Sequence, residues 1–109
     1  MVNLIIKNLK ELDENQREVF ENLCNEKAGY YNELFKKYSK DLKLEVIVNK
    51  SASLYTVSAS LDLKSKKVLV AEEDNDAVAA ATKLFAEFKK VVKRQYELER
   101  KDYEYKRKR

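Results

Sequence analysis

The residue types best able to do chemistry in this sequence are cations, and they gather late in the chain. Wound at 100° per residue, Lys83, Lys90, Arg94 and Lys101 form a ridge opposite an apolar stripe, with Lys89, Lys93 and Arg100 beside it. The chain then closes on Tyr103, Glu104, Tyr105, Lys106, Arg107, Lys108 and Arg109, where cations and aromatic rings interleave. A surface of this kind suits phosphates and unstacked bases. It also suits a solvated helix face, with i,i+4 partners such as Glu97 and Lys101 and a disordered basic tail. Lys36, Lys37 and Lys40 follow a second helical pattern; they complement that helix's dipole and would add to a basic surface if the two helices lie side by side.

Other chemistries are poorly supplied. With no His, imidazole acid–base catalysis and most zinc sites are excluded. The single Cys24 cannot close an intramolecular disulfide and reads as a packed thiol suited to a reducing compartment. One Gly and no Pro leave no Walker loop or dinucleotide fingerprint, so phosphate would have to be held by side chains. Glu72, Glu73, Asp74 and Asp76 lack the spacing and central glycine of a calcium loop and read as helix-capping residues. Arg17 is a single cation among acids and carries no role by itself. No cofactor, metal or small-molecule substrate is expected, and an enzyme is the least expected class.

Charge is unevenly distributed over the 109 residues. Residues 1–82 hold 12 Lys/Arg against 14 Asp/Glu, whereas residues 83–109 hold 11 against 5. The net +4 therefore hides a body of about −2 and a C-terminal quarter of about +6. The early apolar run Leu4-Ile5-Ile6 is too short for a signal core or a membrane span, which makes a cytoplasmic location the expectation.

The elements that must position these residues follow from hydrophobic periodicity. Residues 2–9 are apolar and β-branched, giving a first strand. Asp13 is placed to cap a helix, with Gln16 three residues on able to complete a capping box. From there Val19, Phe20, Leu23, Cys24, Tyr30, Tyr31, Leu34, Phe35 and Tyr38 recur at three- and four-residue steps, predicting a helix to about Lys40. Lys27 interrupts the stripe, and Gly29 marks a place for a kink or a C-cap. Alternation over 42–48 and 55–63 predicts two half-buried strands, with Thr56, Ser58 and Ser60 on the wet face of the second. After the turn at 64–66, residues 67–71 give a last strand, and the acidic run 72–76 predicts a second helix starting near Asp74. Its stripe holds Ala77, Val78, Ala81, Leu84, Phe85, Phe88, Val91 and Val92. Past about Gln95 the stripe fades, and the helix is expected to project into water or fray.

The order β-α-β-β-β-α makes an α+β fold: a four-stranded mixed sheet, its first two strands parallel, with both helices on one face. One domain over residues 1–100 and a basic C-terminal tail over 101–109 account for the chain.

The second half of the chain carries a resemblance. The run from Tyr55 to Asp76, with Val68-Leu69-Val70-Ala71-Glu72-Glu73 as its last strand, leads into Ala79-Ala80 and a helix bearing Leu84, Phe88 and Lys90 among dense Lys and Arg. Over roughly residues 42–101 this resembles the ribosome hibernation-promoting factor family, also known as ribosome-associated inhibitors. The resemblance implies a fold like that of a double-stranded-RNA-binding domain with an added first strand. It also implies binding to ribosomal RNA of the small ribosomal subunit, in the groove that holds messenger and transfer RNA near the decoding centre. Translation would be blocked by occlusion. The positions matching the family's basic helix are Lys83, Lys89, Lys90, Lys93 and Arg94, with Lys36 and Lys37 carried over from the first helix. The sequence departs from the family in a first helix about two turns longer, and in Asn22 and Cys24 where basic residues are common. It also ends without the additional C-terminal domain with which long members pair ribosomes, so pairing is expected to need another route. The alternative from a different class is a small protein-interaction module, using the Tyr-rich first helix or the wet sheet face, with the basic tail as a solubilising device.

Overall fold

Alternating strands and two amphipathic helices assemble as the periodicity requires. The computed structural model describes residues 1–107, with side chains described as far as Lys101. The elements are β1 (Val2–Lys7), a 3-10 turn (Leu9–Glu11), α1 (Glu14–Leu34), β2 (Leu42–Ser51), β3 (Leu54–Asp62), β4 (Lys67–Asp74) and α2 (Ala77–Arg107). The sheet order is β1-β2-β3-β4, with β1 parallel to β2 and the rest antiparallel. It is the α+β arrangement expected, with α1 crossing over between the parallel pair.

One face of the sheet supplies the core. Leu42, Leu44, Val46 and Val48 of β2 and Tyr55, Val57, Ala59 and Leu61 of β3 are buried beneath Phe20, Cys24, Ala28 and Tyr31 of α1 and Ala81, Leu84, Phe85, Phe88 and Val92 of α2. Each large side chain so buried contributes roughly 1.5–3 kcal/mol by removal from water. The helices meet through Tyr31 and Phe88, with ring centroids 5.6 Å apart, and through Phe35 and Tyr96, 4.7 Å apart. Since strands and helices alternate in direction along this order, α1 and α2 run the same way. Their C-terminal halves share one end of the molecule with the start of β1, the start of β2 and the β3–β4 turn. There the Asn32 Oδ1 accepts the Val2 N–H at 2.7 Å.

Several local expectations are corrected. The helix α1 stops at Leu34 rather than near Lys40, because Phe35 leaves helical geometry at φ −105°, ψ 19° and its N–H closes back on Tyr31 O. Turning there sets the Tyr38 ring edge-on to Phe35 and Tyr96, at 5.1 and 5.6 Å. Gly29 neither kinks nor ends the helix; it is exposed, with open space around its Cα. Val19 is 52% exposed, so the stripe runs instead through Phe20, Cys24, Ala28, Tyr31 and Phe35. Asp13 makes no side-chain cap, and its carbonyl takes the Gln16 and Arg17 N–H groups. No capping box forms, since the Gln16 Oε1 is buried without a partner among the described residues. Arg17 ties the 3-10 turn to the helix by donating to Leu12 O at 3.0 Å and Lys10 O at 3.3 Å. The first strand stops at Lys7, where Asn8 enters the left-handed region at φ 65°.

The acidic run divides between two elements. Glu72 and Asp74 stay in β4, opposite Val57 and Tyr55, and α2 starts only at Ala77. Asp76 alone caps it, accepting the Val78 N–H at 3.1 Å. Of the two expectations for α2 past Gln95, fraying is not seen: Tyr96 packs on Phe35 and Tyr38 just after α1, and the helix continues to Arg107 with Glu97, Leu98, Arg100 and Lys101 projecting into water.

Candidate nucleic-acid interface

The end where both helices finish is built around one carboxylate. Glu99 Oε1 accepts the Tyr38 hydroxyl at 2.5 Å, and its Oε2 accepts the Ser65 N–H at 3.0 Å and the Ser65 hydroxyl. Gln95 Nε2 donates to Ser65 Oγ at 2.8 Å, and the Lys64 N–H donates to the Tyr38 hydroxyl at 2.9 Å. Three segments far apart in sequence, the turn after α1, the β3–β4 turn and the second half of α2, are thereby stitched together. Burial works to raise the Glu99 pKa, but the bonds from Ser65 and Tyr38 outweigh it and hold the carboxyl below its ordinary value. Burial first, then the Glu99 carboxylate, push the Tyr38 phenol up to about 12.

Around this knot the surface is cationic. Lys36 and Lys37 are exposed in the turn after α1, and Lys64, Lys66 and Lys67 are exposed at the β3–β4 turn. Lys40 donates to Asp62 O at 3.0 Å, and the Lys64 ammonium lies 4.9 Å over the Tyr38 ring. On α2 the exposed Lys90, Arg94 and Lys101 form the outward ridge. Lys89, Lys93 and Arg100 fall on the side of that helix turned toward α1, with Lys89 4.9 Å over the Tyr30 ring and Arg100 5.8 Å over Tyr96. None of Lys36, Lys37, Lys66, Lys89, Lys90, Lys93, Arg94, Arg100 and Lys101 has an ion-pair partner among the described residues.

Lys83 is set apart from the other ridge residues. Its ammonium lies 3.0 Å from Asp74 Oδ2 and 3.1 Å from Glu73 O, at the opposite end of α2. The Asp76 N–H and then Lys83 hold the Asp74 carboxyl below its ordinary value. About 27 Å of helix separate Lys83 from Lys101 at 1.5 Å per residue. The interleaved tail at 103–109 lies outside the described side chains.

The sequence pattern did not reveal Glu99, Ser65 or the turn lysines as members of this surface. A signal existed: Phe85, Phe88, Val92, Tyr96 and Glu99 continue one stripe at steps of three and four, so a carboxylate at 99 occupies a core-facing position. Cys24 is fully buried, and burial, then Glu21, push its thiol up to about 12, which leaves no nucleophile there at neutral pH. No group of three or more His, Cys, Asp or Glu suited to a metal occurs among the described residues, and no helix among them is long and apolar enough to cross a membrane. The far face of the sheet carries no helix among the described residues. It shows Thr56 and Ser58 half-buried, Ser60 buried, and Leu69 64% exposed.

No family model matches the chain, and no curated protein matches it.

Proposed function

We propose that this protein is a non-enzymatic translation inhibitor that binds ribosomal RNA of the small subunit and occludes the groove for messenger and transfer RNA. The observation that carries the reading is the gathering of cations without ion-pair partners among the described residues, from the turn after α1, the β3–β4 turn and α2, toward one end of the fold. Phosphate contacts from such a surface release counterions, so affinity falls steeply with salt. Contacts of this kind set position and orientation, while the shape of the body selects the groove. The resemblance over residues 42–101 supplies the identity of the RNA, and a ribosomal partner puts the protein in the cytoplasm, acting in ribosome hibernation under stress. The likeness to a double-stranded-RNA-binding domain belongs to the same proposal.

The test is co-sedimentation with small subunits across a salt series. A variant carrying Lys90→Glu, Lys93→Glu and Arg94→Glu is expected to lose binding by about a hundredfold or more, while wild-type binding weakens with added salt. Unchanged sedimentation of that variant would sink the reading.

The second reading, a protein-interaction module, is favoured by Leu69, which stands exposed on the helix-free face. The Tyr-rich helix supports it less, since Tyr31 is buried and Tyr38 is engaged with Tyr96 and Glu99. A partner bound through this face would be lost with Leu69→Lys, retained with the triple reversal, and insensitive to nuclease.

A further inference from the structure

Two cation–tyrosine pairs, Lys89 of α2 over Tyr30 of α1 and Arg100 over Tyr96 along α2 itself, define a narrower chemistry than a basic surface does. Tyr30 and Tyr96 are half-buried, and each keeps a ring face turned to a long, flexible cation rather than to the core. Their other contacts are aromatic: Tyr30 stands edge-on to Tyr31 at 5.0 Å, and Tyr96 rests against Phe35 at 4.7 Å. The rings are therefore fixed from behind, while the groups in front of them are held weakly at an exposed site. Lys89, Lys93, Tyr96 and Arg100 are spaced four, three and four residues apart, so all four share one side of α2. From Lys89 to Arg100 the helix advances about 16 Å, a length suited to about three nucleotides of an extended strand.

From this we infer that the side of α2 that faces α1 and the turn after it takes a short unpaired stretch of RNA, its phosphates following Lys89, Lys93 and Arg100 and its bases stacking on Tyr30 and Tyr96. The inference rests on the RNA-binding reading above and specifies the form of RNA. In a duplex the base faces are covered by their neighbours, and only phosphates and groove edges are offered, so the two tyrosine faces would gain nothing. In an unpaired strand each base has a face to give, and stacking on a fixed ring is tolerant of sequence. On binding, the ammonium of Lys89 shifts from the ring of Tyr30 to a phosphate, and the base takes its place. The guanidinium of Arg100 likewise leaves the ring of Tyr96 for a phosphate, and a second base takes its place.

The experiment compares a labelled 12-nucleotide oligoadenylate with a 12-base-pair RNA duplex, by fluorescence anisotropy on the full chain over a salt series. Wild type is expected to bind the single strand at least tenfold more tightly than the duplex. Tyr30→Leu and Tyr96→Leu, which keep apolar bulk, should each cost the single strand about tenfold with the salt slope unchanged and the duplex affinity unmoved. Lys89→Gln and Arg100→Gln should instead reduce the salt slope by about one each. Circular dichroism melting confirms that each variant is folded; if Tyr96→Leu loosens the packing on Phe35, Tyr30→Leu carries the test. Equal affinity for both RNAs, or tyrosine variants that bind like wild type, would overturn the inference, as would failure to bind either RNA. Loss of single-strand preference with retained ribosome co-sedimentation removes this inference and leaves the ribosomal reading standing; the reverse pattern removes the ribosomal reading alone.

Discussion

The two ends of the molecule use their charges in opposite ways. At the end where the helices begin, the basic groups Lys83 and Arg17 are engaged by the fold: Asp76 caps α2, Asp74 holds Lys83 and the Asp76 N–H, and Arg17 anchors the 3-10 turn. At the end where α1 finishes and α2 passes over it, one carboxylate and one phenol do the structural work, and most of the cations around them are left without ion-pair partners among the described residues. Charge density alone does not separate the two ends, since both are rich in ionic side chains. What separates them is the sign of what the fold leaves unpaired: carboxylates such as Glu14, Glu18 and Glu21 at the first end, and mostly cations at the second, among the described residues. A surplus that the fold does not need is the signature of a surface kept for an external partner, and here the sign of the surplus asks for a polyanion.

The largest effect that could break this contrast is in binding. Three reversals at the acidic end, Glu14→Lys, Glu18→Lys and Glu21→Lys, should leave small-subunit co-sedimentation within about twofold of wild type, against the hundredfold loss for three reversals on α2. A gain in binding from the acidic-end variant as large as the loss from the α2 variant would mean that only net charge matters. A smaller effect is expected in stability. Glu99→Ala removes the acceptor for Tyr38 and Ser65, and for a partly exposed carboxylate this should cost about 1–2 kcal/mol in urea unfolding. Because the folded-state pKa of Glu99 is lowered, its contribution is full above the unfolded carboxyl pKa and disappears as pH falls through the folded value. The gap between wild type and Glu99→Ala should therefore be present at neutral pH and close in acid. The smallest effect lies at the opposite end, in the β2–β3 turn, where Ala52 is held at φ 55°. Ala52→Gly relieves a left-handed alanine and should stabilise the protein by about 0.5–1 kcal/mol, with RNA binding unchanged.

Much of the architecture was legible because each strand had a clean period of two and each helix an apolar stripe. The alternation of Leu42, Leu44, Val46 and Val48 left no other face for the core, and the helices had to cover it together. Boundaries were less legible, for identifiable reasons. Tyr38 continues the helical spacing of α1, and only its partners on α2 and at Lys64 draw it into a turn. Glu72, Glu73 and Asp74 have the composition of a helix start, yet two cross-strand neighbours, Val57 and Tyr55, keep them in β4. The ridge on α2 could be read by winding, whereas the loss of Lys83 to Asp74 could not, because it depends on where a strand ends. Glu99 was hidden for the same reason: its partner Ser65 is 34 residues away, a relation that no local pattern encodes.

Cys24, sealed under α1 and poor in thiolate, also gives the protein an internal clock. A thiol with no solvent exposure reacts with an external reagent only during moments when the core opens, so its labelling rate in excess reagent counts those openings. One atom, already in the sequence and needing no engineered probe, thus reports how often helix and sheet part. Comparing that rate with and without bound RNA would show whether an occupant at the basic end steadies the whole fold or only the surface it touches.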